Sequence, residues 1–213
     1  MFIDIHTHHP GKTGLFIENF SENYAFPIGD RPVSMGIHPW KIGISHWENQ
    51  LTELKKYSAA PWVRAIGECG LDKNIPIEMS LQSTLFREQI RWADTLQKPL
   101  IIHCVRAWEE VFALLREASF SYPVVFHGFN KSAELAKRIL EQGYYLSFGK
   151  ALQKEALKEI LKEIPADRFL LETDDGPLSI GEIYSLAARA RSIDMNSLSL
   201  QIQKNADAVF GVL

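Results

Sequence analysis

Cysteine is scarce in this chain. Two residues, Cys69 and Cys104, stand among 213, too few for a disulfide framework, and a reducing compartment is the simpler reading. Neither sign of charge prevails: 23 Lys+Arg face 26 Asp+Glu, a net of −3. Such a balance gives no global attraction for a nucleic-acid backbone, although it leaves room for a local basic patch. Long hydrophobic runs are missing as well, and none approaches the ~18 residues that suggest a membrane span. At the N-terminus MFIDIHTHH puts Asp4, His6 and His8 where the apolar segment of a signal peptide would stand. The expectation is a cytoplasmic protein with no membrane association. Repeats, linkers and low-complexity segments are also lacking, so residues 1–213 read as a single domain.

What is present is ordinary globular material: 46% hydrophobic, 11% aromatic and 23% charged residues, which excludes disorder and supplies a large core. After about residue 30 the chain alternates β-rich runs with amphipathic stretches. Strands are predicted at 2–6, 32–37, 62–68, 99–104, 122–128, 144–149 and 168–173. Helices are predicted near 46–58, 79–97, 107–118, 131–142, 151–163, 180–192 and 197–210. In the second of these, Leu81, Leu85, Trp92, Ala93 and Leu96 recur on one face at the helical period. Ser45 with Glu48, and Ser179 with Glu182, read as capping boxes. Asn130 and Asn196 read as N-caps, Gly143 as a helix stop and Pro165 as a residue that follows one.

Regular β-α alternation means a parallel sheet, and this many units favours a TIM-type (β/α)8 barrel over an open sheet. Residues 9–32 resist this reading. Segment 14–20 (GLFIENF) suits an eighth strand, yet it follows His8 too closely for a parallel crossover, which needs roughly a dozen residues. Either that strand is irregular, or the barrel is distorted or lacks a helix there.

The metal-liking residues share one placement. His6 and His8 are two apart on a strand and so face the same way, with Asp4 on that face too. Glu68, His103 and His127 end three further strands and Asp174 follows a fourth. In a barrel the C-terminal strand ends converge on the face that carries the active site. One histidine alone is more often a hydrogen-bonded structural residue, and an Asp at a strand end is often a helix cap, but the recurrence on five strands argues for ligands. Six such side chains exceed what one tetrahedral ion requires. Glu68 can bridge two divalent ions about 3.5–4 Å apart, which would hold a hydroxide for an in-line displacement, with Asp174 orienting it and taking its proton.

Other residues rank below these. Arg106 and Lys150 are candidates to bind a substrate phosphate, against the plainer reading of solvated charges at helix starts. His38 is placed equally well as a turn residue or a substrate contact, and Trp40 as the floor of a pocket. Asp72 is a candidate to orient a neighbouring group. His9 and His46 read as surface residues. Cys69 and Cys104 each follow a proposed ligand, face the other way on their strands, and read as packed thiols.

The strings HTHH, GIHPW (36–40), GECGLD (67–72), PLIIHC (99–104), FHGF (126–129) and IPADRFLLETD (164–174) resemble the TatD-type metal-dependent hydrolases of the amidohydrolase superfamily of TIM barrels. The resemblance runs along nearly the whole chain in order. It implies His6, His8, Glu68, His103, His127 and Asp174 as the ligands of two divalent ions (Mg, Mn or Zn), with Glu68 in a bridging position that many relatives give to a carboxylated lysine. It also implies a deoxyribonuclease, often an exonuclease, with DNA or another phosphate ester as substrate. The chain departs from the family in being shorter between HTHH and GIHPW and after LETD, where substrate loops are expected, and in reading HCVRAW for the commoner HSRDA, which puts the role of Arg106 in doubt.

The leading expectation is therefore a phosphodiesterase or nuclease, monomeric and without a protein partner. An amidohydrolase or lactonase acting on a small molecule with the same two-metal site is the alternative. A non-catalytic metal-binding protein would be expected to lack a ligand or Asp174, and none is missing. Polymerase-and-histidinol-phosphatase-type proteins share the DIHTH opening and lack the GE-x-GLD string present here.

Overall fold

The computed structural model describes residues 1–9, 14–22, 24 and 31–213. In chain order these form strands β1 (Ile3–Thr7), β2 (Leu15–Phe20) and β3 (Val33–Met35), helix α1 (Trp47–Ser58), β4 (Val63–Asp72), α2 (Met79–Leu96), β5 (Leu100–Val105), α3 (Trp108–Glu117), β6 (Val124–Phe126), α4 (Ala133–Glu141), β7 (Tyr145–Phe148), α5 (Glu155–Glu163), β8 (Phe169–Leu171), α6 (Ile180–Arg191) and α7 (Met195–Phe210). Short 3₁₀ turns cover Pro39–Lys41 and Lys150–Gln153. The described chain divides into two compact units, Met1–Glu18 with Val125–Leu213, and Asn19–Val124.

In the first unit all five residues of β1 are buried, as a parallel strand covered on both faces requires. It pairs in parallel with β2, Ile3 opposite Leu15 and Thr7 opposite Glu18, with a register shift in between. Segment 14–20 is thus a strand in spite of the short connection. Among the described residues from His9 to Pro32 there is no helix; residues 10–13, 23 and 25–30 of that stretch lie outside those described. Strand β7 pairs in parallel with both β6 and β8, and Thr7 forms an isolated parallel bridge with Asp174. Tyr184 of α6 holds β1 from the side: its hydroxyl accepts from the Ile3 amide at 3.0 Å and donates to the Ile3 carbonyl at 3.1 Å.

The second unit packs Val33, Met35, Ile37, Leu51, Leu54, Val63 and Leu85 into its core, with β4 parallel to both β3 and β5. Strand β4 runs on to Asp72, so Glu68 lies within it and not at its end. The cause is a register shift: Ile66 faces Leu100 while Cys69 faces Ile102, so β4 carries one extra residue around Glu68. Such bulges bend a strand and re-aim a side chain. Gly70 follows with φ 143°, and a Cβ there would collide with the His103 carbonyl, so only glycine lets β4 continue beside β5.

Helix α2 buries Gln82, Leu85, Phe86, Gln89, Ile90 and Ala93, a stripe rotated from the predicted one, with Leu81, Trp92 and Leu96 only half-buried. The two glutamines explain the rotation. Gln89 Oε1 accepts from the Ile37 amide at 2.7 Å while its Nε2 donates to the Ile37 carbonyl at 3.2 Å. Gln82 makes the same pair of bonds with Asp72, at 2.8 and 3.0 Å. Buried backbone groups that leave a strand without a ladder partner need such substitutes.

Helix starts follow the sequence in part. Ser179 and Glu182 form a capping box. At α1 the N-cap is His46 and no side chain caps the helix, so Ser45 and Glu48 form no box. The helix at 133 is capped by Ser132, not Asn130, and the last helix by Asp194, not Asn196. In each case the chain turns helical at a later or earlier polar residue than expected, and Asn130 instead accepts from Lys154 at 3.0 Å. The stretch 151–163 is broken at Lys154, whose extended backbone separates the 3₁₀ turn from α5.

Candidate metal centre

Four candidate donors stand together in the first unit. His6 on β1 is wholly buried, and its ring lies 4.4 Å from that of His127, just past β6, and 5.3 Å from that of His8. Asp174 follows β8, and Nε2 of His6 and Nε2 of His8 stand 3.8 and 3.6 Å from its Oδ1. Backbone bonds set this approach: Asp174 donates its amide to the His6 carbonyl at 2.9 Å, and His8 donates to the Asp174 carbonyl at 3.2 Å. Asp174 sits at φ 56°, a left-handed conformation that Asp tolerates better than most residues and that clusters at functional sites.

Two carboxylates stand behind these donors. Glu172, fully buried, accepts from the Gly128 amide at 2.6 Å and lies 3.5 Å from His127 Nδ1. Burial alone pushes its carboxyl up, but the hydrogen bond and charge of His127, with His6 and Ser147, outweigh this and hold it below the usual range. Asp4 accepts from the Thr173 hydroxyl at 2.6 Å and the Thr173 amide at 3.0 Å. Burial dominates there and raises its carboxyl to about 6, the Thr173 bonds offsetting only part of the effect.

The second unit holds another set. Oε1 of Glu68 lies 3.0 Å from His38 Nε2 and 2.9 Å from His103 Nδ1. Since His38 Nδ1 accepts from the Trp40 amide at 3.0 Å, its Nε2 carries the proton and points it at Glu68. The other nitrogen of His103, Nε2, lies 3.2 Å from Asp72 Oδ2, which also accepts from the Trp40 indole at 2.7 Å. Burial raises the Asp72 carboxyl, yet the bonds from Trp40, Asn74 and His103 prevail and leave it lowered. Asn19 Oδ1 accepts the Glu68 amide at 2.7 Å and the Ser34 hydroxyl at 3.0 Å, fixing the bulge from which Glu68 projects.

The first set fits a divalent ion: the donor atoms of His6, His127 and Asp174 lie within 4.8 Å of one another. Those of His38, Glu68 and His103 lie as close, but the proton on His38 Nε2 leaves Glu68 and His103 as the metal donors there. Ligands bound at about 2.0–2.2 Å are spaced by no more than about 4.4 Å, so a small contraction suffices. Imidazole mixed with carboxylate is the donor chemistry of Zn and Mn, and oxygen-rich variants that of Mg.

The residues expected to bind substrate fall in different surroundings. His38 is buried against Glu68 and His103. Arg106 is exposed, at φ 56° in the turn after β5. Lys150 opens its 3₁₀ turn and pairs with Asp175 at 2.8 Å. It lines a cavity of about 320 Å³ with Lys154, Asn130, Gly128, Glu172 and Asp174. Trp40 is open to solvent, and Cys69 is buried with its thiol pushed up by that burial. Lys154, Glu172 and Asn19 were not marked by the sequence reading. Glu172 had a signal, being two residues before Asp174 on one strand face; the other two had none.

Similarity to known proteins agrees with this chemistry. The family model of TatD related DNase matches residues 28–211. The chain belongs to that family. An uncharacterized metal-dependent hydrolase of Buchnera aphidicola is 38% identical over 171 residues, 76% of this chain and 63% of the relative. YabD of Bacillus subtilis, likewise an uncharacterized metal-dependent hydrolase, is 38% identical over 66% of this chain and 57% of its own. The matched stretch thus spans less than two thirds of these relatives. A 3′-5′ ssDNA/RNA exonuclease TatD of Citrobacter rodentium is 30% identical over 83% of this chain and 76% of the relative. Among solved structures, YjjV, a TatD homologue from Escherichia coli K12, superposes with a TM-score of 0.83 at 22% identity, covering 100% of this chain and 98% of that one. The fold class of this TatD-family chain is the TIM-type (β/α)8 barrel. Among the described residues no helix is long and apolar enough to cross a membrane.

Proposed function

We propose that this TatD-family chain is a divalent-metal-dependent phosphodiesterase that hydrolyses single-stranded nucleic acid, acting as one domain in the cytoplasm. The ligands in this reading are His6, His8, Glu68, His103, His127 and Asp174, for two ions drawn from Mg, Mn and Zn. The observation that carries it is the meeting of Asp174 with His6 and His127 beside a cavity that also presents Lys150 and Lys154. A hydrolytic donor set with two cations at its mouth suits a phosphate ester better than a neutral amide or lactone.

Bound divalent ions would supply Lewis-acid activation of water and of the phosphoryl group. The rest falls to the chain. Asp174 Oδ1, held by the bridge to β1, takes the proton of the attacking water. Glu172 keeps the His127 ring oriented through Nδ1, and Asp72 does the same for His103, since carboxylates behind ligand histidines fix ring and tautomer. Lys154 and Lys150 receive the phosphate next to the scissile one. The name of the Citrobacter relative, a 3′-5′ ssDNA/RNA exonuclease, supports a single-stranded substrate.

The test is hydrolysis of a fluorescent single-stranded DNA and of bis(p-nitrophenyl) phosphate by metal-stripped protein given Mg²⁺, Mn²⁺ or Zn²⁺. Asp174→Asn is the control, because Asn accepts the left-handed backbone at that position. Metal-dependent cleavage of both, lost in the variant, is expected. Silence toward both with metal bound would overturn the phosphodiesterase reading and turn the search to lactones and amides.

A further inference from the structure

Trp40 is 61% exposed, an unusual state for the largest apolar side chain. It is nonetheless fixed in place. Its indole N–H donates to Asp72 Oδ2 at 2.7 Å and its amide to His38 Nδ1 at 3.0 Å. Its ring is steeply inclined to those of His38 and His103, with centroids 5.1 and 5.8 Å away. A ring tethered by its indole N–H and packed beside His38 and His103 has lost its rotamer freedom before any ligand arrives. Holding Asp72 alone would require only a donor. The exposure of so much of the indole is left unexplained by that role.

We propose that Trp40 is a stacking platform for a nucleobase of the single-stranded substrate, and that it governs substrate binding and not the chemical step. The inference rests on the phosphodiesterase reading. Every base offers a π-face, so stacking on an aromatic side chain strengthens binding without demanding a sequence. Because the indole N–H is already engaged with Asp72, the platform reads no base edge and discriminates little among the four bases.

The experiment compares Trp40→Phe and Trp40→Ala on a thymidine oligomer and on the same oligomer with abasic units, in Mn²⁺. Phe keeps an aromatic face and loses the N–H; Ala loses both. Stacking predicts a KM about tenfold higher for Trp40→Ala on the thymidine oligomer, near-normal KM for Trp40→Phe, and kcat held in both. On the abasic oligomer the wild type already shows the high KM and Trp40→Ala adds nothing. Equal losses in the two variants would assign Trp40 to holding Asp72 only, and no loss in either would remove it from substrate contact; both overturn the proposal. If the wild type cleaves no nucleic acid, the phosphodiesterase reading fails on its own. Tryptophan fluorescence in EDTA still decides the platform: quenching by oligothymidylate that disappears in Trp40→Phe supports it, and no quenching overturns it.

Discussion

Glu172 Oε1 accepts the amide of Gly128 at 2.6 Å, a bond between residues 44 apart in sequence that ties the end of β8 to the turn carrying His127. The same carboxyl faces His127 Nδ1, so one buried charge serves a backbone donor and a proposed ligand together. Glu172→Leu should leave both without it and cost about 3 kcal/mol. Glu172→Gln retains an acceptor for Gly128 and should cost about half as much. Urea unfolding of the two variants measures this, and equal midpoints would show that the acceptor offered to Gly128 is idle.

A second buried pairing is separable from the centre. Gln89→Leu removes the partner of both the Ile37 amide and the Ile37 carbonyl. Each buried group left unsatisfied costs about 1–3 kcal/mol, so a loss of about 2–4 kcal/mol is expected despite the gain in apolar surface. A variant as stable as the parent would mean that water reaches Ile37.

The pH dependence of stability should carry the mark of Asp4. Its carboxyl is raised to about 6 in the folded state, above its unfolded value of about 3.9. The folded protein therefore holds this proton more tightly. Its contribution is complete below about pH 4 and is lost as pH rises through 6. Unfolding in EDTA should show the parent losing up to about 3 kcal/mol relative to Asp4→Asn between pH 4 and 7. A difference independent of pH would sink this account.

Salt offers a test of Lys154. A single phosphate contact to a single strand contributes a slope of about 0.7 in log affinity against log salt. Lys154→Ala should raise KM for an oligonucleotide and flatten its salt dependence by about that amount. Unchanged slope would place the phosphate elsewhere.

Metal should stabilise the fold as well as activate it. At about a hundred times its Kd an ion that binds only the folded state adds about 2.7 kcal/mol per site. Thermal unfolding with Mn²⁺ or Zn²⁺ against EDTA should show this rise, and Asp174→Asn should shrink it. Identical melting with and without ions would contradict the donor sets.

Much of the candidate site was legible because its donors lie on or just past strands whose β-rich runs stand out between amphipathic helices. His6, His8, His127 and Asp174 could be assigned to a strand or its end from local pattern alone, whereas His103, expected at the end of its strand, lies within β5, which pairs on to Val105 beside the lengthened β4. Position within β4 was not legible, since the bulge at Glu68 depends on register with β5 and on glycines whose conformation only the neighbouring strand dictates. The supporting residues were hidden for a related reason. Gln82, Gln89 and Asn19 look like surface amides in sequence, and only distant backbone groups make them core residues. Helix starts failed at Ser45, Asn130 and Asn196 because several polar residues lie within two or three positions and the cap is chosen by packing. The exposed Trp40 could not be told from a pocket floor without Asp72 across from its indole.

The bridge between Thr7 and Asp174 joins residues far apart in sequence. His6 and His8 therefore meet Asp174 only once a long-range pairing has formed, and contacts so distant along the chain are intrinsically slow to form. During synthesis both histidines are made well before the residue that aligns them. The proposed donor set thus stays incomplete while the polypeptide between them is being made.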